Sequence, residues 1–150
     1  YDFILERVKG IKAALEEKDP NCEIVIESDA VTTTDGLEAA ENFLQAYPEL
    51  NGVVGINDSV VLGAYEAFKA ADRIGDDVGL FASDGSLLEA VAEGSIHRGT
   101  VSLHLNDVGK QMIDDGITLV NGGTLESTTN YFPLEAVTKD NVQDFIDELN

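Results

Sequence analysis

Two apolar runs in this chain end in short polar side chains, and a helix-spaced pattern follows each. The first is Val53-Val54-Gly55-Ile56-Asn57-Asp58, leading into Ser59-Val60-Val61-Leu62-Gly63-Ala64. The second is Val78-Gly79-Leu80-Phe81-Ala82-Ser83-Asp84-Gly85. An asparagine amide both donates and accepts hydrogen bonds, and a carboxylate is a strong acceptor. In an open α/β sheet, ligands bind just beyond the carboxyl ends of the strands. Asn57 and Asp84 therefore read as two halves of one polar site, with Asp58 as the cap of the helix that follows.

Other chemistries find less support. His97 and His104 lack the cysteine or carboxylate spacing of a metal site, and both read as surface or hinge residues. Ser59, Ser83 and Ser86 have no Gly-x-Ser-x-Gly setting. Gly109-Lys110 lacks the remainder of a phosphate loop. No pair of carboxylates stands out as an acid/base couple. The expectation is a binding protein, not an enzyme, with no cofactor and no metal.

The elements that must position these tips alternate between helical and strand patterns. Ile4, Val8, Ile11 and Leu15 share one helix face, which Asp19-Pro20-Asn21 ends. A strand over Cys22–Glu27 is expected next, with Cys22 as a small buried core residue. Asp35 and Glu38 have capping-box spacing before a helix carrying Leu37, Ala40, Leu44 and Tyr47. The strand Val53–Ile56, a helix carrying Val61, Ala64 and Phe68, and the strand Val78–Ala82 follow. Ser86 with Glu89 suggests a second capping box, for a short helix that Gly94 stops. Thr100–Leu103 reads as a strand, and Asn106 as the cap of a helix with Val108, Met112 and Leu119. Ser127–Val137 is extended, and Val142, Phe145, Ile146 and Leu149 mark a last helix. Such alternation implies an α/β fold, a three-layer αβα arrangement around a mostly parallel sheet.

At 150 residues the chain can bury a core and reads as one compact unit. Its 29 acidic and 9 basic residues give a formal charge of −20, which repels nucleic acid and anionic lipid alike. A single cysteine excludes an internal disulfide framework. No apolar run approaches membrane-spanning length. Doubly wound domains open on a central strand, whereas this sequence opens on a helix. A sheet without that strand exposes unpaired backbone groups. The expectation is thus a piece of something larger, unstable or self-associating when isolated.

Arg7-Val8-Lys9-Gly10-Ile11 resembles the R-x-x-G-F helix start of type I periplasmic binding proteins. The resemblance continues in order through Ile56-Asn57-Asp58, Leu62-Gly63-Ala64, Ser83-Asp84-Gly85 and Gly94-Ser95-Ile96-His97-Arg98-Gly99-Thr100-Val101. It ends with Val108-Gly109 and Val137-Thr138-Lys139-Asp140-Asn141-Val142. The series is similar to the ribose- and galactose-type sugar binders of ABC importers. It implies a two-lobed clamshell closing on a sugar, periplasmic or extracellular, read by a membrane permease. On that resemblance, residues 1–104 correspond to the C-terminal ligand-binding lobe without its first strand. Residues 105–128 correspond to a hinge crossing and a helix that packs on the other lobe, and 129–150 to a return strand and last helix.

The resemblance also implies site roles. Arg7 stands where an arginine donates to sugar hydroxyls, its planar fork suiting two oxygens at once. Asn57 stands where an amide pairs with hydroxyls, and Asp84 where a carboxylate accepts from two of them. Two positions depart from the pattern. Leu103 replaces a usual glutamine, and Val31 stands near where an aromatic stacks on the sugar face, so a sugar other than ribose, or another small polar ligand, is open. Related architectures give two alternatives: the effector-binding core of a lac-repressor-type regulator, and an extracellular sugar-sensing domain of a receptor. Gly85-Ser86 after Asp84, where an acidic pair is usual, and the Thr138–Val142 tail weigh against the regulator. A flavodoxin-like response regulator lacks its strand-end lysine here.

Overall fold

The computed structural model describes residues 2–149. Within them the order is α1 (Asp2–Lys18), α2 (Thr33–Ala46), β1 (Gly52–Val54), α3 (Asp58–Ala70), β2 (Gly79–Phe81), α4 (Leu88–Glu93), β3 (His97–Ser102), α5 (Leu105–Val120), β4 (Glu135–Thr138) and α6 (Val142–Glu148). The strands form one sheet in the order β1-β2-β3-β4. β1, β2 and β3 run parallel, with Val53 opposite Leu80, and β4 closes the far edge antiparallel, with Val137 opposite Thr100. The α/β class and the mostly parallel sheet are as the alternation implied.

The core sits where α3 lies on the sheet. Val61 and Phe68 of α3 pack with Val78, Leu80 and Ile96, all buried. Burying a side chain the size of Phe68 contributes about 1.5–3 kcal/mol. Against the outer side of α3 lies α2, unusually close. A Cβ on Gly36 would meet the Val60 carbonyl, and one on Gly63 would meet the carbonyl of Thr33. Ala40, Ala64 and Ala67 fill what remains of that seam. A second cluster, Leu88, Val91, Val137 and Val142, ties α4 and α6 to β4.

Several local expectations are corrected. Cys22–Glu27 forms no strand: β1 is an edge strand, and among the described residues no ladder partner pairs with the segment, so its apolar residues have no sheet to join. Ile24 is 44% exposed and Cys22 is exposed, not buried. The capping box of α2 is Thr32 with Asp35, three residues before the expected pair. Neither Ser86 nor Asn106 caps a helix; the residue before α4 is Leu87, and that before α5 is His104, neither with a side-chain cap bond. Asn57, not Asp58, caps α3, its Oδ1 accepting from the Val60 amide at 2.9 Å. Of the long extended stretch, only Glu135, Ala136 and Val137 pair, as part of β4.

His97 is also a correction, being a core residue only 5% exposed. Its ring lies 4.8 Å from that of Tyr65, centroid to centroid, and its Nε2 has no hydrogen-bond partner among the described residues. Burial holds its pKa below the ordinary 6.5, with the Asp58 and Glu93 carboxylates opposing that shift. A folded-state pKa below the unfolded one gives stability that is present above about pH 6.5 and is lost as pH falls through the folded value. Chemical denaturation of the wild type and His97→Phe across pH 7.5 to 5 tests this. The wild type should lose stability on acidification at up to about 1.4 kcal/mol per pH unit, and the variant should lose that part of the slope. Identical slopes would contradict it.

Candidate ligand-binding site

The carboxyl ends of β1 and β2 bring together three of the five residues singled out from sequence. Arg7 reaches them from α1. Its Nη1 donates to the Ile56 carbonyl and lies 3.6 Å from Asp84 Oδ1. The Ser83 hydroxyl donates to that same carbonyl at 3.0 Å, so Ile56 holds both the arginine and the segment carrying its partner. The Arg7 and Asp84 side chains are 28% and 35% exposed, buried enough to be fixed and open enough to be reached.

Asn57 follows Ile56 and uses each end of its amide. Besides capping α3, its Nδ2 donates to the Val31 carbonyl at 3.1 Å. One further N–H and one oxygen lone pair are left by these bonds for a ligand. Val31 is therefore bound to the site through its backbone, while its residue is 53% exposed. Leu103, half-buried, directly follows Ser102, which pairs with Asp84 in an isolated bridge. Neither Val31 nor Leu103 offers a side-chain polar group.

Burial pushes the Asp84 carboxyl above its ordinary value, and the Asp58 carboxylate adds to the rise, while Arg7 opposes it by charge and hydrogen bonding. The backbone of Asp84 has φ +122°, a region that non-glycine residues rarely occupy and that concentrates at functional sites. Gly85 follows at φ +74°, with Ser102 too close for an unstrained side chain. A groove of about 520 Å³ opens beside Asp84, lined also by Ser86, Ser102, His104 and Lys110. Acting together, Arg7 and Asp84 present a donor fork and a charged acceptor whose charges offset each other. Such a pair suits hydroxyl groups, which both give and take hydrogen bonds. No group of three or more His, Cys, Asp or Glu able to hold a metal occurs among the described residues.

Sequence reasoning missed the network beneath this pair. Asp58 is 1% exposed and accepts from the Ser86 amide (2.6 Å), the Ser86 hydroxyl (3.0 Å), the Leu87 amide (3.2 Å) and the Thr100 hydroxyl (2.8 Å). These partners lie 28, 29 and 42 residues away, and no local pattern announces them.

Residues 4–124 match the family described as periplasmic binding protein domain. The chain is 33% identical over 147 residues to a xylitol-binding protein of Mycolicibacterium smegmatis, covering 92% of this chain and 39% of the relative. It superposes with TM-score 0.85 and 30% identity on an ABC transporter solute-binding protein of Bacillus halodurans with bound myo-inositol, covering 95% of this chain and 49% of that one. A periplasmic solute-binding protein of Actinobacillus succinogenes with bound D-allose gives TM-score 0.83 at 25% identity, covering 93% and 50%. The chain thus spans about two fifths of the xylitol-binding relative's length and about half of each solved chain.

The ion pair makes a titration prediction. In Arg7→Met, Asp84 keeps its burial and its Asp58 neighbour but loses the opposing cation. Its carboxyl, followed by carbon NMR, should titrate at higher pH than in the wild type. An unchanged Asp84 titration would show that the two side chains do not interact in solution.

Proposed function

The chain belongs to the periplasmic binding protein domain family, and on that premise we propose that it forms the ligand-binding lobe of a receptor for a small neutral sugar or polyol. The receptor delivers its ligand to the membrane permease of an ABC importer and works in the periplasm or outside the cell. Arg7 donates to ligand hydroxyls, Asp84 accepts from them, and Asn57 contributes its remaining donor and acceptor. The observation that carries this reading is the convergence of Arg7 and Asp84 at the carboxyl edge, from a helix and a strand end 77 positions apart. A mutually compensated pair disfavours an anionic ligand, because Asp84 faces it. Xylitol, myo-inositol and D-allose, named with the relatives, are all neutral and hydroxyl-rich, which supports the same chemistry.

Residues 105–128 serve a second lobe in this reading. α5 buries none of its side chains, and Met112, Ile113, Ile117 and Val120 are each more than half exposed. A helix with so continuous an apolar stripe needs a covering surface. The second lobe provides it, and ligand closes the two by a hinge motion.

A thermal-shift screen of the two-lobed protein against xylitol, myo-inositol, D-allose, ribose and deoxy sugars tests the reading. A true ligand at a hundred times its dissociation constant adds about 2.7 kcal/mol and raises the melt visibly. Glucose 6-phosphate, a charged control, should give no shift. The absence of a shift with every neutral sugar and polyol would overturn the assignment.

A further inference from the structure

The geometry points to Asp58 as the positioning residue of this site: its buried carboxylate fixes the turn from Asp84 to Leu87 and thereby aims the Asp84 side chain at the ligand. This rests on the reading that Asp84 contacts ligand. Asp58 is not a ligand group itself, since it is covered by the elements it joins.

A residue at φ +122° returns to ordinary backbone unless its surroundings prevent it. Every amide of the turn has a fixed acceptor. The Asp84 amide donates to the Val101 carbonyl at 3.0 Å, and the Gly85 amide to Thr100 Oγ1 at 3.3 Å. The Ser86 and Leu87 amides both donate to Asp58 Oδ2. Thr100 in turn gives its own proton to Asp58 Oδ1. Three of the four anchors therefore run to Asp58, two directly and one through a hydroxyl.

A carboxylate is the group this position requires. Three donors converge on Oδ2 alone, and the fourth meets Oδ1. Among the described residues no Lys, Arg or His pairs with it in an ion pair. Burial of an unpaired charge is unfavourable unless hydrogen bonds to it are numerous and short. Those donors come from the loop after β2 and from β3, while Asp58 itself starts α3. The buried carboxylate keeps its hydrogen-bond partners only while the three elements keep their present arrangement, and the same bonds define where Asp84 points.

Hydrogen exchange and calorimetry on the two-lobed protein test this, using Asp58→Ala and the milder Thr100→Val. Without any sugar, both variants should speed exchange of the Ser86 or Gly85 amides at least tenfold. The Leu80 amide, bonded to the Ile96 carbonyl inside the sheet, should keep its protection. Loss of protection at Leu80 as well in Thr100→Val would make the network a general core element and overturn the proposal. Calorimetry then uses myo-inositol, xylitol and D-allose. Asp58→Ala should weaken binding at least tenfold in the presence of Asp84, yet less than threefold in an Asp84→Asn background. Equal losses in both backgrounds would show that Asp58 does not act through Asp84. Should the wild type bind no neutral sugar or polyol of the thermal-shift screen, the sugar-receptor reading fails, and the exchange result alone decides whether Asp58 sets the turn.

Discussion

A carboxylate buried without a cation is the constraint on which this structure turns. The interior carboxylate of Asp58 is met by four donors, from Ser86, Leu87 and Thr100. Satisfying it forces the start of α3, the loop after β2 and the middle of β3 into one arrangement. The apolar packing of Phe68, Leu80 and Ile96 brings those elements near each other, but it has no direction. Hydrogen bonds to a fixed charge supply the direction. On this proposal, a core residue sets the geometry of the neighbouring surface cluster that holds Asn57 and Asp84.

The surface cluster has its own economy of parts. One carbonyl, that of Ile56, receives both Arg7 and Ser83. The next residue, Asn57, caps α3 and holds the Val31 backbone. Helix α1, β1, β2 and the segment before α2 are therefore joined within two consecutive positions. Arg7 and Asp84 are partly exposed, so their pairing is worth little as stability. Its value lies in presenting a donor and an acceptor with no net charge. The −20 formal charge of the chain makes such local compensation at the site more significant for a neutral ligand.

Much of this was legible in the sequence where information is local. The strand-end positions of Asn57 and Asp84 followed from apolar runs interrupted by polar residues, and the helices of residues 58–70 and 105–120 from their spacing. The Arg7 role came from resemblance alone; on a solvated helix face its spacing carries no signal. What failed was whatever depends on distant partners. Cys22–Glu27 has strand composition, but a strand exists only beside another strand, and among the described residues β1 carries no neighbour on its outer side. Asn57 rather than Asp58 caps α3, and Asp58 is buried, because capping is decided by φ and burial by residues 28 to 42 positions away. His97 reads as a surface or hinge residue until Tyr65 of α3 is seen packed against it.

A crystal structure of the two-lobed protein with a bound polyol tests the central claim, that Arg7 and Asp84 form the donor–acceptor half of a sugar cleft. Hydroxyl oxygens are expected within about 3.2 Å of both the Arg7 guanidinium and the Asp84 carboxylate. A ligand held elsewhere, with the Arg7–Asp84 pair facing bulk water, would contradict it.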